Sequence, residues 1–102
     1  MSQIDIGGIT YTKAEAIALM KLPVAKDKRW TLFPALVCAK LNVITGNESS
    51  CVDDEIALAD AWWATFNANS VAGSSQAWKL GEPLYKQLDD YNNGRLCAPH
   101  RN

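Results

Sequence analysis

Three cysteines, one histidine and two acidic clusters are the residues of this 102-residue chain that could do covalent or acid–base chemistry. Nucleophilic catalysis needs a nucleophile, a base and a group that orients the base. The sole histidine, His100, sits in the tail Cys97-Ala98-Pro99-His100-Arg101-Asn102, where a fraying end positions a base poorly. One histidine and cysteines at 38, 51 and 97 offer no metal-ligand spacing of a recognised type, so neither a metal nor a cofactor is expected. Asp53, Asp54 and Glu55 cluster at a predicted helix start, where complementing the dipole accounts for them. Asp89 and Asp90 fall on the outer, solvated side of the last predicted helix, and Gly7-Gly8 opens a hairpin rather than a phosphate-binding helix. The expectation is a chain that is not an enzyme. The opposing reading, an enzyme centred on Cys38 or His100, requires the tail to reach the core.

The cysteine placement carries more. Cys51 precedes the acidic helix start in Ser49-Ser50-Cys51-Val52-Asp53-Asp54, and Cys97 follows Gly94 in the tail. Neither position needs a thiol for packing, and neither belongs to a C-x-x-C pair. A Cys51–Cys97 disulfide that staples the tail to the body is the expectation, which implies a secreted or cell-surface location. Cys38 lies in the apolar run Ala35-Leu36-Val37-Cys38-Ala39 and reads as a free, inert core thiol. The first residues lack a charged stretch followed by an apolar one, so the export signal is expected to lie outside this chain. Asn47-Glu48-Ser49 matches a glycosylation sequon, relevant only in a eukaryotic secretory pathway.

Tryptophan is the enriched chemistry, at positions 30, 62, 63 and 78. Exposed indoles stack on sugar rings or bury at protein interfaces. Trp62 and Trp78, with Tyr85, form the candidate recognition surface, for a glycan or a protein. Trp63 is expected in the core. The charge balance, 10 Lys plus Arg against 11 Asp plus Glu, gives no drive toward nucleic acid or anionic membranes. The basic cluster Lys26-Asp27-Lys28-Arg29 is interrupted by an acid and reads as a solvated loop. The longest apolar run, 30–39, is about half of what a bilayer requires, so no membrane insertion is expected.

The elements that must position these residues are mostly helical. Ile4-Asp5-Ile6 and Ile9-Thr10-Tyr11 flank Gly7-Gly8, the pattern of a two-residue hairpin. Thr12 and Glu15 make a capping box for a first helix carrying Ile17, Leu19 and Met20 and ending before Pro23. A second helix is predicted over 30–42, with Pro34 tolerable only in its first turn. A third begins near Asp53 with Ser50 as its cap, and places Ile56, Ala59, Trp63 and Phe66 on one face with Trp62 at the edge. Residues 67–75 read as a flexible loop and 75–80 as a helical turn broken at Gly81. The fourth helix is predicted to start with Pro83 and stop at Asn92-Asn93-Gly94, with Leu84, Leu88 and Tyr91 facing inward. The expected fold is therefore all-α. It is one domain over 1–102, a compact four-helix bundle with an N-terminal hairpin (1–11), a helical core (12–94) and a disulfide-pinned tail (95–102).

Four stretches resemble a helical domain found in bacterial secreted and cell-surface proteins. They are Ile6-Gly7-Gly8-Ile9-Thr10-Tyr11-Thr12-Lys13-Ala14, Cys38-Ala39-Lys40-Leu41-Asn42-Val43, Ala59-Asp60-Ala61-Trp62 and Leu88-Asp89-Asp90-Tyr91-Asn92-Asn93-Gly94. Members of that family usually carry an upstream Gly-Tyr-Trp-Lys segment, which this chain does not contain. The resemblance implies export and a structural or surface-display role, and supplies no catalytic residues. The resulting expectation is a non-enzymatic structural, adhesion or display module of an exported bacterial protein. The alternatives are a glycan-binding module using the tryptophans, and a domain that associates with itself or with another surface protein.

Overall fold

The computed structural model describes residues 3–22, 27–46 and 48–94. Strand β1 (Gln3–Ile6) pairs antiparallel with β2 (Ile9–Thr12), Ile6 opposite Ile9. Gly7 and Gly8 close the hairpin with φ of +60° and +82°, the paired positive values that match strand twist in a two-residue turn. Alternation places Ile4 and Ile6 in the core while Gln3 and Asp5 face out.

Helix α1 (Lys13–Met20) starts at the predicted capping box: the Thr12 hydroxyl accepts from Glu15 N–H, and the Glu15 carboxylate accepts from Thr12 N–H. Its apolar side chains are not all turned inward. Ala16 is its buried residue, Leu19 and Met20 are half-buried, and Ile17 remains exposed. Helix α2 (Arg29–Ile44) is the central rod, burying Leu32, Phe33, Ala35, Leu36, Val37 and Ala39. Pro34 is the sixth residue of α2, beyond the first turn. Proline there removes the N–H that would bond the Trp30 carbonyl, and packing against the other helices outweighs that loss.

Helix α3 (Asp53–Phe66) begins where predicted, but its cap is Val52 and no side chain closes the first turn. Ser50 is engaged elsewhere, its N–H donating to the Glu48 carboxylate. Asp53, Asp54 and Glu55 occupy that open N-terminus. Helix α4 (Gln76–Asn92) corrects two expectations at once: it runs unbroken through Gly81 and Pro83, capped by Ser75, whose hydroxyl accepts from Trp78 N–H. Gly81 is needed inside this helix because Trp62 lies against it. A Cβ at 81 would sit 2.9 Å from the indole ring. Leu88 and Tyr91 are buried as expected, and Leu84 is half-buried against them.

The expected flexible loop over 67–75 is instead tied down, and the solvated basic loop before α2 is what ties it. The Asp27 carboxylate accepts from Arg29 Nε, from Arg29 N–H and from Val71 N–H, while Lys28 N–H donates to the Val71 carbonyl at 2.7 Å. Arg29 also donates to the Asn67 carbonyl and lies 5.0 Å from the centre of the Trp30 ring. Val71 is buried beneath this knot.

The Arg29 guanidinium, with the Val71 and Arg29 amides, holds the Asp27 carboxyl below its ordinary value of 3.8, against the opposing effect of burial. A depressed folded-state value makes the ionised form the stabilising one. Its contribution is complete above the unfolded value and is lost as pH falls through the folded value. Asp27→Asn is expected to cost about 1–3 kcal/mol at neutral pH, and the gap to the parent protein should narrow steadily below pH 3.8. Urea titrations at neutral and acid pH measure it; a gap independent of pH would refute the assignment.

Candidate interaction surface

The residues expected to form an exposed aromatic surface are inside the protein. Trp62 and Trp78 are each 4% exposed, and Tyr85 is half-buried. Trp62 donates its indole N–H to the Ala77 carbonyl at 2.8 Å and meets Trp78 edge-on, ring centres 6.1 Å apart. Phe66 and Tyr85 extend this row at 5.3 Å from Trp62 and 6.2 Å from Trp78. The row is the seam between α3 and α4, and its indole faces are covered. In this arrangement Trp62 and Trp78 present no exposed ring face on which a sugar could stack. A second cluster, Tyr11, Trp30, Phe33 and Trp63, joins the hairpin to α2 and α3, and Trp63 donates its indole N–H to the Tyr11 hydroxyl at 3.0 Å.

The other chemistry-bearing residues are dispersed. Cys38 is a free cysteine, half-buried rather than in the core, on the wall of a shallow cleft between α2 and α4 beside Tyr85 and Asp89. Burial pushes its thiol upward, which lowers its nucleophilic fraction. Asp89 and Asp90 are half-buried rather than fully solvated. Cys51 packs half-buried against the core in the turn before α3. Its expected partner Cys97 lies outside the described residues, as do His100 and Asn47, and no two described cysteines lie at bonding distance. Among the described residues no group of three His, Cys, Asp or Glu side chains could hold a metal ion, and no helix is long and apolar enough to cross a membrane.

Polar side chains of α2, α3 and α4 converge on ties between elements. Asp60 of α3 accepts from Gly7 N–H at the hairpin tip (2.8 Å) and pairs with Lys40 of α2 (2.6 Å). Lys40 also donates to the Asp5 carbonyl on the outer edge of β1 at 2.6 Å. One lysine and one aspartate thus fasten hairpin, α2 and α3 together. At the other side of α2, Asn92 donates to the Ala35 carbonyl and accepts from Asn42, while the Tyr91 hydroxyl donates to the Glu48 carbonyl at 2.7 Å. Every buried side-chain nitrogen or oxygen among the described residues has a hydrogen-bond partner, so no orphaned polar atom points into a cavity.

One face of the described residues is apolar and uncovered. A groove of about 260 Å³ runs between α1 and α2, with Ala16, Ile17 and Met20 on one wall, Val37 and Leu41 on the other, and Ile4 at its floor. It shares Gln3 and Ile4 with a second depression of about 360 Å³ lined by Val43, Ile44 and Ile56. Ile17, Leu41, Val43 and Ile44 are all exposed, Ile44 by 52%. Leu41 and Ile44 lie three residues apart on a helix that is apolar nearly all round, so its C-terminal end carries apolar side chains that the core does not cover. Comparison with family models, with curated proteins and with solved structures finds no match to this chain.

Proposed function

We propose that this chain is a non-enzymatic structural module of an exported bacterial protein, serving display or adhesion, with its tail stapled to the body by Cys51–Cys97. The observation that carries this reading is the use made of the polar residues in the four recognisable stretches. Asp60 and Lys40 tie the hairpin to α2 and α3, and Asn42 and Asn92 tie α2 to α4. Residues engaged in this way maintain a shape and have little freedom left to act on a substrate. The resemblance of those stretches to domains of bacterial secreted and cell-surface proteins supports export, and the disulfide is what an oxidising compartment would select.

Thiol counting tests it. The native protein, denatured without reductant and alkylated, should take up label at Cys38 alone, and after reduction at all three cysteines. Label at Cys51 and Cys97 without reduction, in protein isolated under oxidising conditions, would remove the staple and with it the argument for export.

A further inference from the structure

The geometry points to a second copy of this chain as the occupant of the apolar face formed by α1, β1 and α2. The face is continuous: the groove beside Ile17 and Leu41 and the depression beside Ile44 meet along Gln3 and Ile4 of β1. Exposed aliphatic side chains stand next to concave apolar surface on the same patch, so the patch offers both the projections and the recesses that a self-complementary contact needs.

Charge selects the partner. The groove on the α1 side holds one charged residue, Lys13. The depression on the α3 side holds Asp5, Asp53 and Lys40, of which Lys40 is neutralised by Asp60. Neither Lys13 nor Asp5 nor Asp53 forms an ion pair with a described residue. Positive and negative charge therefore lie on opposite sides of the shared β1 wall. A two-fold axis through that wall sets Lys13 of each copy over the Asp5 and Asp53 of the other, and brings apolar surface onto apolar surface between them. A partner of uniform charge would meet repulsion on one side or the other. The association goes beyond the structural-module reading, and its failure would leave the thiol count and that reading intact.

Sedimentation velocity over a concentration series, up to about 1 mM, tests the association. The expected result is a monomer–dimer equilibrium reaching twice 11.2 kDa, with a non-reducing denaturing gel to exclude a Cys38–Cys38 cross-link. Leu41→Glu, at an exposed position, should leave the circular dichroism unchanged and hold the protein monomeric where the parent dimerises. Lys13→Glu should weaken the dimer about tenfold, each substitution acting twice across the axis. The exchange Lys13→Glu with Asp53→Lys should restore most of it. A parent protein that stays monomeric throughout overturns the proposal. So does a dimer indifferent to Leu41→Glu, or one that the charge exchange fails to rescue.

Discussion

Trp63→Ala is expected to cost about 3–5 kcal/mol, the range for removing a large aromatic side chain from a packed core, which is a large part of the total stability of a domain this size. Trp63 is 1% exposed, and among the fully buried side chains it is the largest. Its ring lies 4.8 Å from that of Phe33 and 5.7 Å from that of Trp30, and its N–H is held by the Tyr11 hydroxyl. The Gly7 turn also rests on it, a Cβ at 7 falling 2.9 Å from Trp63 Cδ1. Truncation therefore opens a cavity where hairpin, α2 and α3 meet, and rigid helices on two sides limit collapse into it. Thermal unfolding should fall by about 4–8 °C per kcal/mol. Leu58→Ala, on the exposed side of the same helix, should stay within about 0.5 kcal/mol. Similar shifts for the two substitutions would contradict the packing described.

The features legible in the sequence are those written within a few residues of one another. The Gly7-Gly8 turn, the Thr12–Glu15 capping box and the inward spacing of Leu88 and Tyr91 each depend on local geometry, and each is present. Those missed depend on partners distant in sequence. Gly81 looks like a helix breaker until Trp62, on another helix, is seen pressing its ring against it. Trp62 looks like the edge of a stripe until its N–H is seen donating to Ala77, 15 residues on. Asp27 looks solvated until Val71, 44 residues away, donates to it. Periodicity reports which face of an element is apolar and is silent about what covers that face. For the same reason Trp62 and Trp78 are expected at the surface and are instead buried between α3 and α4, while Leu41 and Ile44 of α2 are exposed.

The hairpin tip gives the sharpest test of how hairpin and α3 are held together, because its two glycines share a backbone requirement and differ in surroundings. Gly8→Ala should cost about 1–2 kcal/mol, the penalty for an L-residue at positive φ, since nothing lies within 4 Å of the added Cβ. Gly7→Ala bears the same penalty and a steric one. Its Cβ would come within 2.9 Å of the Ala64 nitrogen and 3.0 Å of the Asp60 carbonyl, both backbone atoms of α3 that cannot rotate away. Overpacking of this kind costs about 1–3 kcal/mol, for a total of about 2–5 kcal/mol with the strain included. Relief requires the turn to lift from α3, which would stretch the Gly7 N–H···Asp60 bond and disturb the Lys40 pair that shares that carboxylate. Chemical denaturation of the two variants side by side separates the effects: the excess loss at position 7 measures the docking of hairpin on α3. Equal losses at 7 and 8 would mean that the turn does not rest on the helix. Asp60 would then have no hairpin to hold, and the shape-keeping role proposed for Asp60 and Lys40 would lose its central contact.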